Sequence, residues 1–410
     1  MKKILLTTIA LLSMASASVF GMYGLPSNNW IHFLTHGNQF RARMNQLGFT
    51  LGNDTIKGTF GFYNDGRGTW GSMLNESRNT AEAATGGYDF NPTISMGLAY
   101  TSSLISVGVG YNATIGPRWN RYNGKTEPKK VEAVVHTPVL VLNALDNALR
   151  IAIPIQVINL TEKVEGYGKG SVTAVSLDAQ FRYFTGLDFL PQIRLYIKYG
   201  TYGYELSPEA GDKIKGKFAE SFGFDFRIYF GSVVEEVALT PFIKLAYNGA
   251  LGKQHRQTSV TALSALNDAA NVPGAMVNAL SGVSGTTTAL SSYGGTAAWE
   301  QGAWDLTLMP ALGLTANSDI VSLYLEPSLG LKIVQSGSAA DKVKEVYALG
   351  YGAYAEIYIT PIKNLEWYFE ADVSGEYAGA TYDGDQNANN RISPIKFAAS
   401  TGITWYLPAL

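Results

Sequence analysis

Hydrophobic and polar residues alternate along most of the chain, and the alternation is clearest between residues 303 and 334. In the first half of this stretch the apolar face carries Trp304, Leu306, Leu308, Leu312, Leu314 and Ala316. Beyond a polar turn at 317–319 the alternation resumes, and the apolar face carries Val321, Leu323, Leu325, Leu329, Leu331 and Ile333. Because successive side chains point to opposite faces of a strand, the pattern predicts two long antiparallel strands joined by a tight turn.

The same pattern recurs from residue 55 to the C-terminus and predicts 14 strands. Their apolar faces contain no charged residue except at strand ends. A lipid-facing surface requires this, since one Arg or Lys at the bilayer midplane costs about 2–4 kcal/mol. A soluble β-sandwich also keeps charges off its inner face, but it rarely needs so many long strands. We therefore predict an all-β fold, a closed antiparallel transmembrane β-barrel of 14 strands.

Short and long connections alternate strictly between the predicted strands. The short ones are 101–103, 145–148, 185–189, 231–233, 317–319 and 360–364, and the long ones are 64–91, 116–132, 161–171, 204–215, 249–301, 335–345 and 379–391. In outer-membrane barrels short turns face the periplasm and long loops face outside. We expect a surface-exposed protein of the outer membrane with external loops at 64–91, 116–132 and 249–301.

The first 54 residues follow other patterns. Lys2 and Lys3 precede an uncharged apolar run at 4–12 and small residues at 15–17, which predicts a secretory signal peptide at 1–17. Apolar residues then recur at helix-like spacing, at Trp30, Phe33, Leu34, Phe40, Met44 and Leu47. We expect 18–54 to form a short helical or irregular segment at or inside the periplasmic mouth of a barrel that comprises 55–410. Alternatively, Leu47, Phe49 and Leu51 form a strand, which with a partner strand gives a barrel of 16.

Composition excludes several classes of protein. The formal net charge of −2 offers no broad basic surface for nucleic acid. The chain has no Cys, so it has no disulfide, thiolate metal site or lipid-modified cysteine. No stretch of 18 uncharged apolar residues follows the signal peptide, which argues against a helical membrane protein.

The inward faces of the predicted strands carry charges of opposite sign in two groups. We call the first the basic arc, and it comprises Arg150, Arg182, Arg194, Lys198 and Arg227. The second is the acidic arc, and it comprises Asp305, Glu326, Glu356, Glu366, Glu370 and Asp372. In a closed ring these arcs would lie on different sides of the lumen and create a transverse field favouring small polar or zwitterionic solutes. The alternative is that the charges pair locally and the lumen is plugged.

A third group of inward positions is small, and it comprises Gly61, Ser95, Gly97, Ala99, Ser106, Gly108 and Gly110. Glycine on a strand often marks the close approach of another segment. We predict that the N-terminal segment or a folded-in loop rests on these residues.

Aromatic residues collect near the predicted strand ends. Tyr100, Tyr183, Trp367 and Trp405 fall toward the short turns, whereas Tyr111, Tyr199, Tyr247 and Trp304 fall toward the long loops. Rings with one polar edge settle at the boundary between lipid and water, so these residues predict two interface girdles.

The sequence offers little for catalysis. His32 and His36 have metal-binding spacing on a helix, but no carboxylate follows at ligand distance. His136 is expected to point inward, without an identifiable nucleophile beside it, and no Gly-x-Ser-x-Gly motif occurs. We therefore predict no enzymatic activity, no metal site and no cofactor.

Several motifs resemble a known family. MYG at 22–24, NWIHFLTHGNQFRAR at 29–43, QLGFTLGN at 46–53 and HTP at 136–138 are similar to the variable surface proteins of intestinal spirochaetes, the Serpulina or Brachyspira family. The similarity covers the whole chain. It implies an abundant outer-membrane surface antigen whose members vary, in multimeric assemblies.

These observations together predict a variable surface antigen that presents external loops to the host. The alternatives are a diffusion porin for small polar solutes, which is compatible with the first role, and an adhesin. The expected partners are membrane lipid, host molecules or antibodies at the external loops, and further subunits in a homo- or hetero-oligomer. We expect no nucleic-acid partner.

Overall fold

The computed structural model describes residues 30–43, 46–64, 92–115, 119–121, 129–131, 134–164, 168–208, 212–234, 237–251, 304–335, 345–379, 391–392 and 395–410. A 3₁₀ helix at Trp30–His32 precedes the strands. The strands are β1 (Gln39–Arg43), β2 (Gln46–Gly52), β3 (Ile56–Asn64), β4 (Pro92–Tyr100), β5 (Ile105–Ile115), β6 (Trp119–Arg121), β7 (Lys129–Val131), β8 (Val134–Ala144), β9 (Leu149–Val164), β10 (Gly168–Phe184), β11 (Gln192–Pro208), β12 (Ile214–Tyr229), β13 (Ser232–Val234), β14 (Val237–Ala250), β15 (Trp304–Asn317), β16 (Val321–Gln335), β17 (Glu345–Ile362), β18 (Leu365–Gly379), β19 (Arg391–Ile392) and β20 (Lys396–Tyr406). The predicted signal peptide at 1–17 and most of the loops 64–91, 116–132 and 249–301 lie outside the described residues.

Sixteen of these strands form one closed antiparallel barrel. Each wall strand pairs with the next wall strand along the chain, from β1 with β2 to β18 with β20. The ring closes where β20 pairs with β1 and Trp405 lies opposite Phe40. The short strands β13 and β19 add to β14 and β18, and β6 and β7 form a separate hairpin.

The predicted barrel is confirmed, and its strand number is the alternative, 16, rather than 14. Strands β1 and β2 form a hairpin with Phe40 opposite Phe49, so the wall begins at Gln39 and not at residue 55. The helix-like spacing of Phe40, Met44 and Leu47 misleads because β1 has only five residues. Periodicity cannot separate a strand from a helix over so short a run.

The hairpins β9–β10 and β11–β12 are longer than the sequence predicts. Strand β9 ends at Val164 and β10 begins at Gly168, while β11 ends at Pro208 and β12 begins at Ile214. Most of the predicted loops 161–171 and 204–215 is therefore strand. The sequence pattern assigned these stretches to loops because they are polar. A strand that extends beyond the apolar band does not contact lipid, so it needs no apolar face.

The predicted short turns gather at one end of the barrel, together with the C-terminus. Asn38 donates from Nδ2 to the carbonyl oxygens of Gly52 (2.9 Å) and Pro408 (2.7 Å) and so joins the start of β1, the β2–β3 turn and the chain end. In the β8–β9 turn Asp146 and Asn147 have φ angles of 53° and 64°. Asp and Asn tolerate this left-handed conformation better than most residues, so their place in the turn is explained.

The outward faces of the wall are apolar, as the exposures of Val109 (59%), Leu308 (48%) and Leu329 (52%) illustrate. Strand β8 corrects one prediction: His136 is exposed and points outward, whereas Val139 and Val141 are buried and point inward. Both faces of β8 are apolar, so alternation alone could not orient it. No helix among the described residues is long and apolar enough to cross a membrane.

Candidate luminal site

A compact segment of residues 30–36, which we call the luminal plug, lies inside the barrel. Its 3₁₀ turn is held by hydrogen bonds from the Phe33 N–H to the Trp30 carbonyl (3.1 Å) and from the His36 N–H to the His32 carbonyl (3.0 Å). Trp30, Ile31, Phe33 and Leu34 are buried and form one apolar cluster with Ala99, Val139, Val141 and Ala152 of the wall. The inward apolar residues of β8 therefore contact the plug rather than lipid.

The glycines of β4 and β5 make room for the plug. A Cβ atom added to Gly110 would lie 2.3 Å from the Trp30 ring, and one added to Gly97 would lie 2.7 Å from it. A Cβ atom on Gly108 would lie 3.2 Å from Leu34. The prediction that the N-terminal segment rests on the small inward residues is confirmed. Gly61, Ser95 and Ser106 of that group are buried.

Polar contacts hold the plug at both sides. Lys57 of β3 donates from Nζ to the carbonyl oxygens of Leu34 and His36, each at 2.9 Å. On the other side Nη1 of Arg150 lies 3.1 Å from His32 Nδ1, and Nη1 of Arg182 lies 2.6 Å from His32 Nε2. The imidazole thus lies between two guanidinium groups.

Burial and neighbouring cations favour the neutral form of the two plug histidines. Burial, followed by the positive charge of Arg182, lowers the pKa of His32 well below its ordinary value of 6.5. Burial, followed by the charges of Arg41, Arg150 and Lys57, lowers the pKa of His36 in the same way. The two rings stack with their centroids 5.5 Å apart. Within the described part of the chain no group of three His, Cys, Asp or Glu side chains could hold a metal ion.

The basic arc is a row of side chains on neighbouring strands. Arg150 of β9 lies opposite Arg182 of β10, Arg182 opposite Arg194 of β11, and Arg194 opposite Arg227 of β12. The next residue in the row is Lys244 of β14, which the sequence analysis missed although it follows the same alternation. Lys198 lies apart from the row, opposite Asp178. The row runs from the plug toward the acidic arc.

The partners of these side chains change along the row. Asp225 accepts hydrogen bonds from Arg227 (2.8 Å) and lies 3.4 Å from Lys244 Nζ. Arg194 donates to Gln192 Oε1 at 2.8 Å and covers the Tyr229 ring at 4.5 Å. The end away from the plug is therefore partly neutralised by a carboxylate.

The acidic arc is interleaved with tyrosines that the sequence analysis did not include. Glu356 accepts hydrogen bonds from the hydroxyls of Tyr358 (2.6 Å) and Tyr354, and Glu370 lies 3.0 Å from the same Tyr354 hydroxyl. Tyr324 donates to Glu326, and Tyr406 lies 3.3 Å from Glu366. Asp305 and Asp372 face the lumen opposite Asn248 and Tyr354.

Strand β1 also contributes two arginines. Nη1 of Arg43 lies 3.5 Å from Glu370 Oε2, and its guanidinium lies 4.4 Å from the centre of the Tyr368 ring. Arg41 donates from Nε to Gln39 Oε1 at 2.9 Å. These residues escaped the sequence analysis because 39–43 was interpreted as part of a helical or irregular segment. In the ring, the basic arc on β9–β14 adjoins the acidic arc on β15–β18, and the plug on β4–β9 lies across from the latter.

The family model described as Serpulina hyodysenteriae variable surface protein matches residues 2–406. The chain belongs to this family. No curated protein matches the chain closely enough to count as a relative. Its family and its own strand pairings therefore identify the chain as a β-barrel of the outer-membrane type.

Two solved structures are similar to this chain at low identity. The β domain of the Bordetella autotransporter BrkA is 10% identical, covers 91% of this chain and 100% of its own, and has a TM-score of 0.29. OmpT, an outer membrane protein of Vibrio cholerae folded in vitro, is 8% identical, covers 90% of this chain and 96% of its own, and also has a TM-score of 0.29.

The aromatic residues predicted as girdles occupy outward positions of the barrel. Those near the short turns, Tyr100, Tyr183, Trp367 and Trp405, are at least 41% exposed. Those near the other end have polar or aromatic neighbours: Tyr199 donates to Glu220 at 2.5 Å, and Tyr247 stacks on Trp304 at 6.5 Å. Outward His136 belongs with them, since its Nδ1 lies 2.5 Å from the Tyr111 hydroxyl.

Proposed function

We propose that this member of the variable surface protein family is a diffusion porin for small polar solutes that also displays its external loops as surface antigens. The observation that carries the porin role is the charged lining of the barrel, with a basic arc on β9–β14 and an acidic arc on β15–β18. Arg194 and Glu356 are buried in this lining, whereas the side chains of Arg227 and Lys244 (24% each) and Glu370 (22%) are partly exposed. A wet lumen favours such partly exposed charges and a dry core would disfavour them, because a buried charge without a partner costs several kcal/mol.

The position of the plug supports a path for solutes beside it. The plug packs on β4, β5, β8 and β9, so it contacts one part of the ring. The acidic arc lies on the far side, and Arg43 and the basic arc flank it. We place the solute path between the plug and the acidic arc, where groups of both signs are within reach of a zwitterion.

Conductance in planar lipid bilayers tests this role. Wild-type protein should insert with discrete current steps, and Arg194→Gln should shift ion selectivity toward cations while Glu370→Gln shifts it toward anions. Lys363→Gln is the matched control, because Lys363 is an exposed residue of the β17–β18 turn and its loss changes the net charge equally. A barrel that inserts without conducting contradicts the porin role, and equal selectivity in all variants contradicts the charged path.

Family membership favours the display role. The chain matches the variable surface protein model over residues 2–406, and the short turns and C-terminus gather at one end of the barrel. In outer-membrane barrels this is the periplasmic end, so the long connections would emerge outside. Antibodies raised against 64–91 or 249–301 should label intact cells, whereas antibodies against the 360–364 turn should label only permeabilised ones. The reverse result contradicts the orientation. An adhesin role stays a prediction, tested by grafting the same loops onto another barrel.

A further inference from the structure

Arg150 and Arg182 lie side by side in the lumen without a carboxylate. They are directly opposite each other on β9 and β10, and Arg182 is 5% exposed. Their donors reach the Asn147 carbonyl at 3.2 Å, the Thr35 hydroxyl at 3.3 Å and the two nitrogens of His32, and the Tyr196 side chain lies beside Arg182. Among the described residues neither guanidinium has an ion-pair partner.

These groups leave the two cations under-satisfied. A neutral imidazole has one acceptor nitrogen, so His32 can accept from one of the two guanidinium groups at a time. The Nε–H of Arg182 is buried and has no acceptor. Like charges directly opposite each other on neighbouring strands are destabilising, and a buried cation needs a counter-charge or a dense set of acceptors.

Arg227, in the same row, is an arginine whose charge is neutralised by a carboxylate. Its Nε and Nη2 both donate to Asp225, at 2.8 Å each, in a bidentate pair. Arg150 and Arg182 have the same side chain, face the same lumen and lack this carboxylate. A small oxyanion bound to both of them beside the His32 ring would supply the acceptor that the Arg182 Nε–H lacks, because planar guanidinium groups bind oxyanions through paired N–H donors.

We propose that Arg150, Arg182 and His32 form a luminal binding site for a small oxyanion such as phosphate. The site rests on the proposed porin function and gives it a preferred solute class. It also couples that solute to the plug, since His32 belongs to residues 30–36. Oxyanions are bound at the plug end of the basic arc, while the Asp225 end remains neutralised.

Line broadening in ³¹P NMR tests the site without requiring conduction. Inorganic phosphate is titrated at pH 7.5 into the full chain folded in a detergent that contains no phosphorus. Wild-type protein should broaden the phosphate resonance saturably, and Arg182→Gln should weaken binding at least tenfold. Arg227→Gln is the matched control, since it removes the same charge from the same row, and it should change binding less than threefold.

Arg150→Gln serves as a second variant if Arg182→Gln does not fold, and it should also weaken binding at least tenfold. Acetate should compete with phosphate, whereas chloride at equal ionic strength should not. Absence of saturable broadening, or equal losses in Arg150→Gln and Arg227→Gln, overturns the proposal. Phosphate binding without bilayer conductance would leave the site standing and remove the porin role, and conductance without phosphate binding would do the opposite.

Discussion

The barrel wall has two parts, which we call the first arc and the second arc. They share the same kind of exterior and differ in the side chains that face the lumen. The first, β1–β8, has wall strands of 5 to 11 residues. Small and apolar residues of β4, β5 and β8 pack on the plug, while β1 and β3 add Arg41, Arg43 and Lys57 to this lumen face. The last wall strand, β20, closes the ring between the two arcs. The second, β9–β18, has wall strands of 14 to 18 residues, and its lumen face carries the basic and acidic arcs. The lipid side is apolar in both, as Leu98 and Leu323 illustrate.

This difference shows which surface of a barrel strand is constrained. Lipid imposes the same requirement on every outward position, so the outward pattern is uniform around the ring. The residue types at inward positions depend on what occupies the lumen. Glycine and valine fit against Trp30, whereas arginine and glutamate fit a wet, charged passage.

The largest expected effect comes from emptying the first arc. The chain has no Cys, so Leu34→Cys provides a unique thiol whose labelling rate reports release of the plug. In that background Trp30→Ala should weaken plug docking by about 3–5 kcal/mol, because it removes the largest buried side chain of the cluster. Labelling should accelerate more than 100-fold. Phe242→Ala, which empties a buried site of the second arc, should leave the rate unchanged; equal acceleration would show that the arcs are not independent.

The shared exterior gives the next largest effect. Val109→Arg in the first arc and Leu308→Arg in the second should each destabilise the folded barrel by about 2–4 kcal/mol, since both side chains face lipid. Thr307→Arg places the same charge on the inward face and should cost much less. Urea unfolding in lipid vesicles measures all three. If the losses of stability in Val109→Arg and Leu308→Arg differed from each other as much as either differs from the loss in Thr307→Arg, one of the two arcs would not face lipid.

Filling the glycine contact sharpens the comparison of the interiors. Gly110→Leu should weaken plug docking by about 1–3 kcal/mol, because its side chain meets the Trp30 ring. Gly350→Leu is the control in the second arc, where the nearest atom to an added Cβ is 3.8 Å away. Thiol labelling of Leu34→Cys should accelerate in the first variant and not in the second. Acceleration by Gly350→Leu alone would place the plug against the wrong arc.

Acidification should produce the smallest and most graded effect. The pKa of His32 and that of His36 are lowered in the docked plug, so the released plug binds more protons and docking is favoured above pH 6.5. Docking should weaken as pH falls below 6.5, by about 1.4 kcal/mol per pH unit for each histidine until the docked form is protonated. Labelling, corrected for thiol reactivity with a free peptide, should rise at pH 5.5. His32→Asn together with His36→Asn should abolish the dependence; a dependence that persists would locate it elsewhere.

Much of this architecture can be predicted from the amino-acid sequence alone. Alternation and the absence of charge from the outward faces sufficed for the barrel, because lipid acts on each strand separately. The same holds for Arg150, Arg182, Arg194 and Arg227, whose inward direction depends only on their parity with apolar neighbours. The small residues of β4 and β5 likewise indicated that a segment would rest on them, which Trp30 does.

The remaining features depend on partners that are distant in sequence. Phe40 belongs to a strand because Phe49 and Trp405 flank it on either side, and Val139 points inward because it joins the apolar cluster that the plug forms with the wall. Which cations share a carboxylate depends on both the strand and the register, as Asp225 shows by reaching Arg227 two residues along β12 and Lys244 across on β14 but not Arg182. Local alternation determined which side chains contact lipid, and only closure of the ring decided which side chains contact one another in the lumen.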